Sequence, residues 1–406
     1  MIKIEIPKID EVKRDYLGLL RDPVKERIKP LIISLHHLNG ATIDVTQGNF
    51  ERYKHITRKI VDKYINGTKL EIYLFNLANY KSTVQDFVLN TSKKSDYSNV
   101  NLNGLINFLE SLIIPNTNEL DKLLICHAAN LKTLQDDLLN NHSITGDDNK
   151  FVLAKAFNYE KFDQDISTLI RDFFRSQNFI NFCPYCNLNE VLFIEAEDGN
   201  PAAAHQLDHF FDKATFPLLS YSLFNLVPSD STCNTTNKGT IEFSDDYHLN
   251  PYLNGFGKKM IFKPRRAGFK VHEIELSVTA SKTDPFFLQL LGVDTDINES
   301  SKRGNINVFK LKSKYRSRIE EANDILETIY RAQKGKRSND YFLDEIQILN
   351  KEEHYRKWYK RNFKTHFDFK DFHKKAYSKF NRDIHDYYFI NDGNNSNDFI
   401  RLMINE

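Results

Sequence analysis

Cys183-Pro-Tyr-Cys186, then His205-Gln-Leu-Asp208-His209-Phe210, then Asn225-Leu-Val-Pro228-Ser-Asp230-Ser-Thr-Cys233-Asn234-Thr-Thr-Asn237-Lys238-Gly239 are the three runs on which the reading of this 406-residue chain turns. Each is ordinary alone, since a Cys-x-x-Cys pair can be a redox motif and an Asp-His dipeptide arises by chance. Their order and spacing give the set its weight. Three of the four cysteines, Cys183, Cys186 and Cys233, fall in this region. Four are too few for a disulfide framework, and clustering of this kind points to a metal. The fourth, Cys126, lies in the apolar-periodic stretch Leu120 to Leu138, where a buried and inert thiol is expected.

Asp208 and His209 are neighbours on a predicted strand, so their side chains leave opposite faces unless a bend or bulge redirects one. Asp208 offers a hard oxygen to a divalent cation such as Mg2+, and Asn234 a second, neutral one. His209, with an unperturbed pKa of about 6.5, is suited to take a proton from water. One carboxylate and one amide leave several positions on such a cation for the oxygens of a phosphodiester, so the chemistry expected is phosphodiester hydrolysis, with Lys238 on a neighbouring phosphate. Asn225 is expected to tie the following loop and keep His209 aimed. Asn237, three residues past Asn234, is more simply a helix cap than a ligand.

These residues resemble an HNH endonuclease domain of the ββα-metal class, with Asp208-His209, Asn225 and Asn234 at the family's successive motif positions. The likeness covers roughly Phe182 to Gly239. It implies Mg2+ or Mn2+ at Asp208 and Asn234, His209 as general base, and products with a 5′ phosphate and a 3′ hydroxyl. Many members bracket the site with two zinc-binding Cys-x-x-Cys knuckles. The first is intact here as Cys183 and Cys186, but the second reads Asp230-Ser-Thr-Cys233, with Asp where a third Cys is usual. Asp230 can complete a Cys3Asp zinc site, or His205 can bend in. The flanking Phe216-Pro-Leu-Leu-Ser-Tyr-Ser-Leu-Phe-Asn225-Leu-Val-Pro228 and Asn250-Pro251-Tyr252 resemble HNH nucleases of bacterial anti-phage defence, of the Septu type and its retron-associated relatives. That likeness implies a separate ATPase partner, in keeping with the lack of a Walker-type loop around Gly255-Phe256-Gly257-Lys258. Residues 1–150 carry no such likeness.

Outward from this core, the length predicts two or three domains. The near-neutral net charge of +1 conceals a pattern. Residues 151–250 hold six Lys and Arg against fourteen Asp and Glu, whereas residues 256–406 belong to a tail, 251–406, with thirty against twenty-two. A metal-binding middle and a polyanion-binding tail fit that polarity. No run approaches the roughly 18 apolar residues of a membrane span and no signal peptide opens the chain, so a cytoplasmic protein is expected. Helical periodicity marks Leu17 to Leu38, Phe50 to Ile65, Leu102 to Ile114, Leu120 to Leu139, Tyr159 to Arg175 and Arg318 to Lys334, with a short strand at Ile2 to Ile6. Val191 to Ala196 and His205 to Phe211 are expected to form a hairpin.

The expectation is therefore an α+β protein with a helical domain at 1–150, the ββα-metal module at 151–255 and a basic, mostly helical region at 256–406. Lys263, Arg265 and Arg266, the stretch Lys310 to Arg318, and the aromatic-rich Tyr355 to Arg382 are candidate nucleic-acid contacts, the last equally a buried amphipathic stripe. His36 and His37 are expected to be packing or surface residues. DNA is the favoured substrate; the alternatives are RNA such as tRNA, cut by the same site, a silent zinc-ribbon binding module, and a partner-docking domain at 1–150 with the nuclease as its effector.

Overall fold

The computed structural model describes residues 2–39, 100–114, 117–157, 164–177, 180–191, 206–268, 270–293, 300–334 and 352–391. The expected helix Phe50 to Ile65, most of the expected strand Val191 to Ala196, and His205 lie outside them. Among the described residues helices are joined by two small two-stranded sheets, and the protein is of the α+β class. No helix among the described residues is long and apolar enough to cross a membrane. The chain forms two compact units that cut across the boundaries drawn from composition. One comprises residues 8–177 and 209–227, the other residues 1–7, 178–208 and 228–406.

In the first, helical unit, α1 (Ile9–Leu38) buries Val12, Tyr16, Leu20, Val24, Ile28, Leu31 and Leu35. This spacing of three and four lines one face of a helix. Asp10 and Glu11 in the first turn offset the positive end of its dipole. Against α1 pack α2 (Leu102–Ile113), α3 (Glu119–Ile125), α5 (Asp147–Ala156) and α6 (Gln164–Gln177), with α4 (Leu131–Asn141) beside α3. Asn101 caps α2 by accepting from Gly104 N at 3.0 Å, and Arg21 of α1 grips Asp121 of α3 through two bonds of 2.7 and 2.6 Å. The expected single stretch Leu120 to Leu139 is broken between Ile125 and Leu131 by a 3₁₀ turn, Ala128–Asn130. Cys126 sits at that break, half-buried rather than in a core.

In the second unit, Ile2 and Ile4 are buried and extended but belong to no sheet. Their N–H groups bond the carbonyls of Pro184 and Pro251 at 2.8 Å. Gly255 permits this, since a Cβ there would lie 2.6 Å from the nitrogen of Lys3. Strand β1 (Gln206–His209) pairs with β2 (Leu226–Ser229), and the division between units falls within each of these strands. Among the described residues β1 pairs with β2; most of the other expected hairpin strand, Val191 to Ala196, lies outside them. After β2 comes a π-helix, Thr232–Lys238, closed by Gly239 at φ +51°.

The tail contains a hairpin that the sequence reading missed. Strand β3 (Met260–Ala267) runs antiparallel to β4 (Lys270–Val278), with Met260, Phe262, Val271 and Ile274 buried. Helices α7 (Pro285–Leu291), α8 (Asn305–Val308), α9 (Leu311–Arg316), α10 (Ile319–Lys334), α11 (Glu352–Phe363) and α12 (Ser378–Asn391) complete the unit. Helix α12 packs on β3 and α10, and Asp383 of α12 accepts from Phe262 N at 2.9 Å. Tyr355, Trp358, Tyr359, Phe363 and Phe367 are buried as an aromatic core. They are not offered for base stacking, and Arg356 and Lys357 beside them pair with Glu352 and Glu353.

Candidate functional site

Two clusters in the second unit and one in the first gather the residues singled out from the sequence. The first cluster is a set of potential metal ligands. Cys183 and Cys186 lie in the turn between Phe182 and Glu190, which bridge each other, while Asp230 follows β2 and Cys233 opens the π-helix. Their ligating atoms all lie within 4.8 Å of one another and all four residues are buried. The surroundings orient them as a metal would need. Asn189 Nδ2 and Cys233 N both donate to Asp230 Oδ1, at 3.1 Å each, which leaves Oδ2 on the sulfur side, 3.5 Å from Cys186 Sγ. Leu188 N points at Cys186 Sγ at 3.5 Å. Such donors around first ligands fix their geometry.

Electrostatics give the same picture. Burial pushes the Cys183 thiol well above its ordinary pKa, while hydrogen bonds from Cys183 and Cys233 hold Cys186 well below it. Burial also works against the Asp230 carboxylate, but bonds from Cys183, Cys233 and Asn189 outweigh it and hold the pKa at about 2. Three buried thiols at this separation cannot all ionise without a cation among them. The donor set of three sulfurs and one carboxylate oxygen suits tetrahedral Zn2+, whose bonds of about 2.0–2.3 Å place ligands at separations of this order. Asp230 thus stands where a fourth ligand could bind; His205 lies outside the described residues.

The second cluster surrounds Asp208, which is 4% exposed. Lys238 Nζ, equally buried, lies 2.6 Å from its Oδ1, and the Tyr185 hydroxyl donates to its Oδ2. Lys238 in turn sits 4.6 Å over the ring of Phe243, which stacks on His248 at 3.9 Å, and Tyr185 stacks on Phe309 at 4.3 Å. Both carboxylate oxygens are thus engaged, and the ammonium stands where a cation on Asp208 would stand. A divalent ion ligated by Asp208 does not fit this arrangement, and Lys238 faces the carboxylate instead of an outside phosphate. Asn234 is half-buried in the π-helix, where its backbone N–H bonds Asp230 O and its carbonyl accepts from Gly239 N. Asn237 is likewise half-buried there.

The third cluster, in the helical unit, holds His209 and Asn225. His209 Nε2 lies 3.0 Å from the carbonyl oxygen of Ser220. A carbonyl only accepts, so Nε2 carries the hydrogen of the neutral ring and Nδ1 is its basic nitrogen. The loop bearing Ser220 is held from several directions. Tyr16 of α1 donates to Tyr221 O at 2.7 Å, Ser222 Oγ to Leu123 O at 2.5 Å, and Gln135 of α4 accepts from Leu218 N at 3.2 Å. Asn225 is fully buried. Its Oδ1 accepts from Phe211 N at 2.8 Å and its Nδ2 donates to Phe211 O and Leu219 O at 3.0 and 3.1 Å, so it ties the loop and does no chemistry itself.

The basic residues of the tail are less available than their sequence suggests. Lys263, Arg265 and Arg266 lie on β3, where Arg265 pairs with Glu275 at 3.0 Å and reaches Glu273 at 3.8 Å. They line an open groove of about 560 Å3 with His272 and Tyr387. Lys314, in the expected contact stretch Lys310 to Arg318, points at Cys233 instead. Tyr16, Gln135, Tyr185 and Ser222 carry no mark as site residues in the sequence, because no local spacing announces a partner so far along the chain. No protein-family model, curated protein or solved structure matches this chain.

Proposed function

We propose that the protein is an HNH-type endonuclease that hydrolyses phosphodiester bonds, DNA before RNA, on a ββα-metal module. The observation that carries this reading is the bond from His209 Nε2 to the Ser220 carbonyl at 3.0 Å. It fixes the tautomer that a general base needs, with Nδ1 as proton acceptor. In this reading Nδ1 takes a proton from water, the water oxygen bonds to phosphorus as the bond from phosphorus to the 3′ oxygen breaks, and that oxygen takes a proton from solvent, giving a 5′ phosphate and a 3′ hydroxyl. The strand, strand, helix order of β1, β2 and the π-helix, with Asp208-His209 on β1, Asn225 just before β2 and Asn234 in the π-helix, supports the module assignment. Zn2+ on Cys183, Cys186, Asp230 and Cys233 would brace the turn before β1 and the start of the π-helix, supplying structure and no chemistry.

The same reading includes Mg2+ or Mn2+ at Asp208 and Asn234, and there the geometry disagrees, since Lys238 holds the carboxylate. It also includes a role as effector of a bacterial anti-phage system beside a separate ATPase, in the cytoplasm, with the groove at Lys263, Arg265 and Arg266 on the nucleic acid. The Lys238–Asp208 pair favours one second reading, a zinc-braced nucleic-acid-binding module without cleavage. The deciding experiment incubates purified protein with supercoiled plasmid, linear DNA and total tRNA, in Mg2+, Mn2+ or chelator, with and without any ATPase that co-purifies with it. Cleavage that falls at least about 100-fold in His209→Ala supports the nuclease and selects its polymer. Binding of nucleic acid with no cutting under any condition would replace it with the second reading.

A further inference from the structure

Helix α9 brings a charge to the metal-ligand cluster that the ligand motif does not contain. Lys314 Nζ lies 3.2 Å from Cys233 Sγ, and the next residue, Tyr315, donates its hydroxyl to the carbonyl of Cys186 at 2.7 Å. One short helix thus touches both knuckles, an ammonium on one and a phenol on the other. Its start is unusual, because Lys310, the residue before Leu311, takes a left-handed backbone with φ +53°. That conformation costs a non-glycine residue about 1 kcal/mol or more and persists only where the surroundings enforce it. Burial of Phe309, Leu311 and Tyr315 provides the enforcement.

The charge balance gives Lys314 a purpose. Three thiolates and a carboxylate carry four negative charges, a divalent cation offsets two, and the remainder lies in a buried site. Uncompensated charge there is costly. A donor on a ligating thiolate also withdraws electron density from sulfur, which makes it a poorer nucleophile. Resting on the zinc reading of Cys183, Cys186, Asp230 and Cys233, we infer that Lys314 is a positioning residue of that centre. It neutralises one unit of its charge and shields the Cys233 thiolate, so that the metal is retained against chelators and thiol reagents.

The test uses the full chain loaded with Zn2+, and separately with Co2+, as wild type and as Lys314→Met, Lys314→Gln and Lys314→Arg. Zinc release is followed with a chromogenic chelator after addition of N-ethylmaleimide, and the Co2+ form is read by its thiolate-to-metal charge-transfer absorption. Release about 10-fold or more faster in Lys314→Met is expected, with Lys314→Gln intermediate and Lys314→Arg near the wild type. The charge-transfer band of Lys314→Met should move to lower energy, because a thiolate without its cationic donor gives up its electron more readily. Equal release and an unmoved band, with metal held throughout, would overturn the inference and leave the zinc reading standing. Loss of metal from Lys314→Arg as fully as from Lys314→Met would also overturn it, since the charge is kept in the first. A wild-type chain that takes up neither metal would overturn the zinc reading and the inference together.

Discussion

Replacing Lys238 by Met removes the ammonium from Asp208 while keeping most of the apolar stem that crosses Phe243. Both side chains of the pair are 4% exposed and their charged atoms are 2.6 Å apart. Asp208 would keep the Tyr185 hydroxyl as a partner but lose the ammonium that balances its charge in a dry site. Breaking a buried pair from one side costs about 3–5 kcal/mol, because the orphaned charge retains its desolvation penalty. The chain has a single tryptophan, Trp358, buried in the same unit, so its fluorescence during urea unfolding reports on that unit alone. The expected result at pH 7 is a midpoint shift worth about 3–5 kcal/mol at unchanged m-value. Asp208→Asn combined with Lys238→Met should regain about 2 kcal/mol or more, since nothing charged remains to be orphaned. Millimolar Mg2+ distinguishes the roles of the carboxylate. If Asp208 is a cation ligand once Lys238 is gone, Mg2+ at about 100 times its Kd stabilises Lys238→Met by about 2.7 kcal/mol and leaves the wild type unmoved. A single variant within about 1 kcal/mol of wild type, or a double variant no better than the single, would refute the reasoning.

Asn225→Ala strips partners from Phe211 N, Phe211 O and Leu219 O. At about 1–3 kcal/mol per orphaned buried group, it should destabilise the helical unit by at least about 3 kcal/mol, and cleavage should fall about 10- to 100-fold at unchanged zinc content by metal analysis. Tyr16→Phe removes one bond to Tyr221 O. A loss of about 1 kcal/mol is expected in thermal unfolding, with a smaller fall in cleavage than for Asn225→Ala. His248 concerns pH. Burial pushes its pKa down to about 3, so the unfolded chain takes a proton below about pH 6.5 while the folded protein takes none until pH approaches 3. Stability from this group is therefore whole above pH 6.5 and lost as pH falls. The difference between wild type and His248→Gln, followed by Trp358 fluorescence, should shrink by about 2 kcal/mol between pH 6.5 and 5.

The cysteine cluster was legible because ligand spacing is a local property. Cys-x-x-Cys and Asp-x-x-Cys each bring two donors to one turn, and only the meeting of the two turns needed the fold. The aromatic stripe from Tyr355 to Phe363 was legible as a helix face, but its exposure was not, since a periodic pattern gives a direction without saying what covers it. The β3–β4 hairpin carried a period-two signal in Met260, Phe262 and Pro264 that its basic residues and proline obscured. Pro264 is tolerated because, among the described residues, β3 has a partner on one side only. Lys238 and Lys314 were the hardest to read. A lysine in a basic or polar run is solvated by default, and only an acceptor 30 or 81 residues away turns it inward.

Asp208 and His209 are consecutive residues of β1, yet they draw their partners from different compact units. Asp208 is held by Tyr185 and Lys238 in one, and His209 by a Ser220 carbonyl that α1, α3 and α4 fix in the other. Alternation along a strand separates neighbouring side chains by default, and here that separation is matched by two independent sets of hydrogen bonds. The carboxylate and the imidazole can therefore be perturbed one at a time, the first through Lys238 or Tyr185 and the second through Tyr16 or Asn225. A helical region with no motif of its own thereby gains a physical role. It builds the acceptor that fixes the tautomer of His209, and changes in its packing reach the imidazole through the carbonyl of Ser220.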